Sequence, residues 1–236
     1  MDTKILQVFK FDEIDCIVDG IFGNEVALLT IDTSEFKDKY YTEKFLKKEE
    51  IKHAQGFKSE VARINYIVSR SVVNKVFSFI LRKDVEKIEV LNGKYKKPFV
   101  KNNKGIKFNI SHTDGLVIVG FSQEEIGVDI EWINKRFEYK DIVNDCFTDS
   151  EIEYIGNDFF KFYELWTIRE AYLKCDGIGL IRDMKEIEVI NISKNWAEIS
   201  DSKGYNKQLR MIRGITGYIG AICTMEGKWI EKLKKS

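Results

Sequence analysis

The chain has 236 residues, of which 44% are hydrophobic and 32% are charged, and its acids and bases balance at 38 each. This length and apolar content suffice for one large domain or two small ones, while the zero net charge argues against a dedicated nucleic-acid-binding protein. The chain has a single proline, Pro98, and no Pro- or Ser-rich linker, so we expect any two halves to be tightly joined.

The cysteines, the histidines and the N-terminus indicate which metal sites and which cellular location to expect. The four cysteines are scattered, without a CxxC pair: Cys16, Cys146, Cys175 and Cys223. With only two histidines, His53 and His112, a zinc site is not expected. The N-terminus is too charged for a signal sequence, and no apolar run approaches the roughly 18 residues of a membrane span. We therefore expect reduced thiols in a cytoplasmic protein with no membrane or nucleic-acid partner.

Eight strands and four helices are predicted in chain order. Alternating or continuous apolar runs predict strands at 5–11, 25–31, 88–93, 106–111, 116–122, 126–133, 185–193 and 217–225. Helical spacing predicts a charged, surface-like helix in 41–57, a long helix in 60–83, and helices in 147–156 and 157–177. Thr148 and Glu151 form a predicted capping box, and Gly177 is a predicted helix end.

This order of elements recurs, since a short charged helix, a long helix and strands occur before residue 120 and again after it. The recurrence predicts an α+β fold of two similar halves, 1–122 and 123–236, that form a pseudo-dimer. In each half a small antiparallel sheet should pack on a long helix.

Charge separates along the chain. Residues 81–108 hold nine basic and three acidic residues, whereas residues 122–164 hold twelve acids and four bases. The usual explanation is two solvated faces. The alternative is a basic wall for phosphates and an acidic wall for a cation.

The acidic run contains the strand "GVDIEWI", in which Asp129 and Glu131 alternate with apolar residues. Residues two apart on a strand point to the same face, so the two carboxylates should project together, with Val128, Ile130 and Trp132 on the other face. Paired carboxylates favour a hard cation such as Mg²⁺ or Mn²⁺. The competing explanation is an edge strand with its acidic face in water.

The predicted helix "WTIREAYLKCDG" carries Trp166, Glu170 and Lys174 four residues apart, in one row. A surface Glu–Lys pair would contribute only about 0.3–0.5 kcal/mol. The functional alternative makes Glu170 a third metal ligand and Lys174 a phosphate contact.

The segment "FNISHT" places Ser111 and His112 at the end of an apolar strand, before an Asp-Gly turn. Binding groups often lie at strand ends, and a histidine can bind phosphate or move a proton, although a lone histidine is more often structural. Adjacent Ser111 and His112 do not make a catalytic triad, and no GxSxG motif occurs.

Together, "KYKKP", "NISHT", "IGVDIE" and "WTIREAYLK" resemble, in order and spacing, the signature of the 4′-phosphopantetheinyl transferases, specifically the two-halved surfactin-type branch. The resemblance covers about residues 94 to 180, with a weaker echo in the N-terminal helices. Arg169 departs from it, because the family usually has lysine there.

The resemblance implies a holo-acyl-carrier-protein synthase type of activity, in which coenzyme A gives its phosphopantetheine arm to a serine of an acyl or peptidyl carrier protein. It implies Mg²⁺, or Mn²⁺, held by Asp129, Glu131 and Glu170, with Glu170 and Lys174 as catalytic residues. The implied coenzyme A ligands are Lys97, Pro98, Ser111, His112 and Lys174. Arg63 and Arg70, one helical face apart on the long helix, are candidates for further phosphate contacts, and the alternative for both is solvent-facing charge. By the same analogy the protein is a monomer, the N-terminal half binds the adenine and 3′-phosphate, and the C-terminal half is catalytic.

Two alternatives stay open at this stage. A metal-dependent nucleotide phosphodiesterase or pyrophosphatase would use the same carboxylates with water in place of serine. A non-catalytic carrier-protein-binding module would bind coenzyme A without turnover. The resemblance leaves fatty acid, polyketide and nonribosomal peptide carriers open, and by the same analogy the two-halved length favours secondary metabolism.

Overall fold

The computed structural model describes residues 5–8, 21, 26–34, 36, 44–177 and 183–225. The chain divides between Glu124 and Glu125 into two compact units, here called the N-terminal unit (from Thr3) and the C-terminal unit (to Ser236). Cys16 and part of the predicted strand 5–11 lie outside the described residues. In the described part, no helix is long and apolar enough to span a membrane, and Cys146, Cys175 and Cys223 form no disulfide.

The N-terminal unit is an α+β unit with one four-stranded sheet, ordered β1-β2-β6-β5, and one two-stranded ribbon, β3-β4. Its elements are β1 Ile5–Val8, β2 Val26–Asp32, α1 Lys48–Ala54, α2 Glu60–Leu81, β3 Val90–Asn92, β4 Pro98–Val100, β5 Lys107–Thr113 and β6 Leu116–Ser122.

The long predicted helix is confirmed as α2. Ser59 caps its first turn by accepting a hydrogen bond from the Ala62 nitrogen, and Arg82 ends it in a left-handed conformation. Apolar residues at helical spacing bury one face against the sheet, where Phe77 meets Phe108 and Phe121.

One strand pair departs from the predicted antiparallel sheet. β1 pairs with β2 in parallel, whereas β2, β6 and β5 pair antiparallel. A parallel pair needs a crossover of about a dozen residues or more, and residues 9–25 provide that length. The N-terminal sheet is therefore mixed.

The C-terminal unit has a five-stranded, entirely antiparallel sheet in the order β7-β11-β10-β9-β8. Its elements are β7 Ile126–Trp132, α3 Lys140–Cys146, α4 Asp149–Ile155, α5 Phe159–Asp176, β8 Ile187–Ile192, β9 Trp196–Asp201, β10 Asn206–Ile212 and β11 Tyr218–Thr224.

The helix ends of this unit match the sequence signals. Thr148 and Glu151 form the predicted capping box of α4. Asp158 caps α5, and Gly177 ends it with φ 78°, a backbone angle that glycine adopts without strain. The predicted α+β halves, each with a sheet packed on a long helix, are confirmed, and the pseudo-dimeric arrangement stays a prediction.

Candidate functional site

Strand β7 carries the predicted carboxylate pair at the edge of the C-terminal sheet. Val128 and Ile130 are buried on one face, as predicted, and Asp129 on the other face is only 3% exposed. The acidic face is therefore not simply in water, although β7 is an edge strand. Trp132 was predicted to pack beside Val128 and Ile130, but it is 44% exposed because the strand ends at this residue.

Helix α5 covers the acidic face and lies against β7 at Gly127. A Cβ atom at Gly127 would lie 2.0 Å from the Ala171 carbonyl oxygen and 2.3 Å from the Cys175 nitrogen, so only glycine fits there. Gly127, Asp129 and Glu131 share one face of the strand because they are two residues apart. The close approach at Gly127 thus brings α5 alongside both carboxylates.

The predicted row on α5 faces those carboxylates. The Lys174 ammonium lies 2.6 Å from Asp129 Oδ1, and the Trp166 indole donates a hydrogen bond to Glu131. Glu170 is half-buried, and its Oε1 atom has no hydrogen-bond partner among the residues that the structure describes. The row joins the helix to the strand, which a surface Glu–Lys pair would not do.

The three carboxylates lie in one electrostatic environment. Burial, and then the negative charge of Asp129 and Glu170, raise the pKa of Glu131 to about 7, against the lowering effect of Lys174 and the Trp166 hydrogen bond. Burial and the Asp129 charge also raise the pKa of Glu170, against the lowering effect of Lys174. One lysine therefore leaves the site with excess negative charge.

This raised pKa predicts how stability depends on pH. Folded Glu131 holds its proton up to about pH 7, whereas its unfolded value is 4.5, so unfolding releases a proton between these values and stability falls as pH rises. Without metal, wild type should lose about 1–3 kcal/mol relative to Glu131→Gln between about pH 5 and about pH 8. Urea unfolding of both proteins in EDTA at the two pH values measures this difference, and parallel pH profiles would contradict it.

The site suits a hard cation, although within the described ranges no three Asp, Glu, His or Cys side chains stand as a ready-made metal cluster. Asp129, Glu131 and Glu170 offer oxygen ligands only, which is the donor type that Mg²⁺ prefers. The buried Glu170 Oε1 atom without a hydrogen-bond partner is an acceptor that a cation would satisfy. The residues thus fit Mg²⁺, and the three-ligand set stays a prediction.

The sequence did not show the environment of Arg169, whose side chain is completely buried beside Glu170. Its guanidinium forms an ion pair with Glu151, donates to the carbonyl oxygens of Cys146, Met184 and Ile187, and lies over the Phe147 ring. Arg169 therefore forms its ion pair in the protein interior and not at the surface.

In the N-terminal unit, Ser111 and His112 lie within the last residues of β5, next to the turn at Asp114 and Gly115. Ser111 is 5% exposed, while the His112 side chain is exposed. The Asn65 side-chain nitrogen donates to the Thr113 carbonyl oxygen at 3.2 Å and ties α2 to this strand end. Lys97 and Pro98 lie half-buried at the start of the ribbon strand β4.

The two predicted arginine ligands both form ion pairs. Arg63 binds Glu60 on the same helix through two nitrogens, at 2.8 and 2.7 Å. Arg70 binds the buried Glu50 of α1, at 2.9 and 2.6 Å. Phosphate binding by either arginine would compete with these carboxylates, and both assignments stay predictions.

Comparison with known proteins bears on the C-terminal unit. Residues 125–223, from β7 to the end of β11, match the model of the 4′-phosphopantetheinyl transferase superfamily. The matched residues include Asp129, Glu131, Glu170 and Lys174, whereas the predicted ligands in the N-terminal unit lie outside them.

Named relatives give the same result. The chain is 34% identical over 128 residues to the L-aminoadipate-semialdehyde dehydrogenase-phosphopantetheinyl transferase of Candida glabrata, which covers 48% of this chain and 47% of that protein. It is 32% identical over 119 residues to the 4′-phosphopantetheinyl transferase gsp of Aneurinibacillus migulanus, and 31% identical over 121 residues to Sfp of Bacillus subtilis. Each of these two matches covers 48% of this chain, and they cover 48% of gsp and 50% of Sfp. The chain thus spans about half the length of the curated relatives it matches.

Proposed function

Because the chain belongs to the 4′-phosphopantetheinyl transferase superfamily through residues 125–223, we propose that it transfers the 4′-phosphopantetheine arm of coenzyme A to a serine of an apo carrier protein. One observation carries the proposal: Asp129 and Glu131 on β7 face Glu170 and Lys174 on α5, inside the segment that matches the family. The same groups could serve hydrolysis, but the family match favours transfer to a carrier.

The proposed reaction makes and breaks one phosphorus–oxygen bond. The carrier serine oxygen bonds to the phosphorus that bears the pantetheine arm, and the bond from that phosphorus to the bridging oxygen breaks. The electron pair leaves on adenosine 3′,5′-bisphosphate, and the serine proton passes to a base. When bound by Asp129, Glu131 and Glu170, Mg²⁺ would supply positive charge for the developing phosphate charge.

Two α5 residues have roles that follow from their surroundings. The raised pKa of Glu170 suits it to accept the serine proton, directly or through water. Lys174 is half-buried and paired with Asp129, and its long side chain can turn to the pyrophosphate when another cation neutralises Asp129.

The N-terminal unit is proposed to bind the adenine and 3′-phosphate of coenzyme A. Its segment 81–108 supplies the basic charge, and Ser111 and His112 supply polar groups at the end of β5. These positions stay predictions, because the family match begins at residue 125.

We expect His112→Ala to raise the KM for coenzyme A about tenfold and to lower kcat less than threefold, because a lost hydrogen bond to a charged phosphate weakens binding by roughly 1.5–3 kcal/mol. Steady-state kinetics with varied coenzyme A measure the change. His53→Ala is the matched control, since His53 packs against Phe57 and Tyr66, and its KM should stay at the wild-type value. An unchanged KM in His112→Ala would make His112 structural.

The carrier protein is proposed to dock beside the end of β7. Trp132 and Phe137 are each 44% exposed, and Phe160 is 47% exposed. Aromatic side chains are enriched at protein–protein interfaces, which supports a docking role for these residues. Phe137 begins the segment 137–147, which we propose as part of the docking surface. Which carrier docks is left to experiment, as are the predicted cytoplasmic location and monomeric state.

Intact-mass spectrometry of apo carrier proteins, incubated with this protein, coenzyme A and Mg²⁺, tests the proposal. A gain of one phosphopantetheine on the carrier serine, lost in EDTA, is the expected result. Consumption of coenzyme A without any carrier gain would favour a hydrolase. If coenzyme A binds but is not consumed with any of the acyl and peptidyl carriers tested, the non-catalytic binding module would be favoured.

A further inference from the structure

We propose that Arg169 is a positioning residue: its buried guanidinium fixes the rotation of α5 about its own axis and so sets where Glu170 and Lys174 stand against Asp129. The proposal rests on the proposed function and adds a role for a residue that contacts no substrate.

The contacts of Arg169 join α5 to three segments: α3, α4 and the stretch 184–187 that leads into β8. Its guanidinium donates to the Cys146 carbonyl oxygen at the end of α3, at 2.9 Å, and to the Ile187 carbonyl oxygen at the start of β8, at 2.8 Å. It also donates to the Met184 carbonyl oxygen and forms an ion pair with Glu151 of α4. Both charged side chains are buried, so water cannot replace these bonds.

Glu151 is itself held in place by its own segment. It accepts hydrogen bonds from the Thr148 nitrogen and hydroxyl, at 2.9 and 3.0 Å, and from the Val189 nitrogen, at 2.9 Å. A carboxylate held by the capping box of α4 and by β8 presents a fixed acceptor to Arg169. The helix is therefore anchored to a rigid group and not to a mobile surface side chain.

Arg169 and Glu170 are consecutive, so their side chains leave the helix about 100° apart. The first side chain binds α3, α4 and β8, and the second belongs to the row that faces β7. A rotation of α5 by about 20° would move side-chain ends, roughly 5–6 Å from the helix axis, by about 2 Å. Functional groups need to hold their positions within about 0.5 Å, so such a rotation would disable Glu170 and Lys174.

Lysine cannot reproduce this anchor, although it keeps the charge. Arginine offers five N–H donors in a planar fork, and Arg169 uses them on one carboxylate and three carbonyl oxygens. Lysine offers three donors from a single atom, which would leave at least one of these buried acceptors without a partner. The pocket is built for arginine, even though the family resemblance leads one to expect lysine at this position.

The N-terminal unit repeats the same joint. Glu50 accepts from the Lys47 nitrogen in the capping box of α1, at 3.0 Å, and binds Arg70 of the long helix α2. In both units, then, a buried glutamate at the third position of the short helix anchors an arginine of the long helix. The joint in the C-terminal unit contains Arg169, the direct neighbour of Glu170 on α5.

The test compares Arg169→Lys with Arg213→Lys. Arg213 also binds α5, through Glu164, but it is 36% exposed and lies outside the proposed site. At a temperature where both variants are folded, Arg169→Lys should lower kcat at least 30-fold with the KM for coenzyme A changed less than threefold. The Mg²⁺ concentration for half-maximal rate should rise at least tenfold. Arg213→Lys should keep its kcat, its KM for coenzyme A and its half-maximal Mg²⁺ concentration within twofold of the wild-type values.

A folded Arg169→Lys with wild-type kcat and wild-type Mg²⁺ requirement would overturn the proposal. Should that variant not fold, Glu151→Gln is the second variant, because it removes the ion pair and leaves the three carbonyl bonds of Arg169 in place. It should lower kcat about fivefold or more with an unchanged KM, and wild-type kinetics in folded Glu151→Gln would also overturn the proposal.

Direct Mn²⁺ binding by calorimetry separates this proposal from the proposed function. Binding at least tenfold weaker in Arg169→Lys than in Arg213→Lys supports the positioning role, even if wild type modifies no carrier and the transferase assignment fails. Equal Mn²⁺ affinity in the two variants, or no Mn²⁺ binding by wild type, would overturn the positioning role.

Discussion

Asparagine in place of Asp129 should lower the rate of carrier modification at least a thousandfold while the protein stays folded. The substitution keeps the shape of a side chain that is 3% exposed but removes the charge that Lys174 contacts at 2.6 Å. A neutral amide is a poor Mg²⁺ ligand, and several kcal/mol of transition-state stabilisation depend on a bound cation. Rates from intact-mass spectrometry of the carrier, with circular dichroism as the check on folding, measure the effect.

The control for this variant is Asp149→Asn, which changes an exposed aspartate in the same unit and should leave the rate within twofold. Asp129→Asn leaves Lys174 without its charged partner, but Lys174 is 27% exposed and can be hydrated, so we expect a stability loss of only about 1–3 kcal/mol. A folded Asp129→Asn protein with more than a tenth of the wild-type rate would remove Asp129 from the proposed metal site.

The side chains that each element presents to this site could be predicted from sequence, because they follow from the two-residue period of a strand and the 3.6-residue period of a helix. A strand places Asp129 and Glu131 on one face, and a helix places Trp166, Glu170 and Lys174 in one row. The contact that joins the strand and the helix, Lys174 with Asp129, spans 45 positions of the chain and depends on how α5 packs on β7. No local pattern contains that information.

Arg169 shows why a charged residue in an apolar helix is hard to interpret from sequence. A charged residue between apolar neighbours usually faces water. The sequence around position 169 does not indicate that Arg169 binds the carbonyl oxygens of Met184 and Ile187, which lie in a later part of the chain. The same holds for Glu50. Its helix is charged and was predicted to be surface-like, yet Glu50 is only 4% exposed. Buried ion pairs need two segments to meet.

Secondary structure was missed where the apolar signal was weak. The sequence showed neither α3 nor three strands, β4, β9 and β10. β4 is short and begins at Pro98, while β9 and β10 alternate buried residues with charged or polar ones, as in Ala197 and Ile199 of β9. An antiparallel strand with one face towards water has only a few apolar residues, so a short strand has too few of them to be recognised by alternation.

Alanine in place of Gly127 should strongly destabilise the C-terminal unit. The added carbon would lie 2.0 Å from the Ala171 carbonyl oxygen, and because both the strand and the helix present backbone there, no side-chain rotation relieves the overlap. Overpacking a core costs about 1–3 kcal/mol when side chains can yield, and we expect about 4 kcal/mol or more here. Urea unfolding measures this loss.

Gly105→Ala separates the overlap at Gly127 from the general effect of adding a methyl group to glycine. Gly105 has φ 82° and open space where its Cβ would lie, so its cost is backbone strain of about 1–2 kcal/mol. Any Gly127→Ala protein that stays folded must move α5 away from β7, which separates Glu170 and Lys174 from Asp129, so transfer should be lost even below the unfolding temperature. Wild-type transfer by Gly127→Ala, with stability equal to that of Gly105→Ala, would mean that the proposed site does not depend on the close approach of this strand and helix.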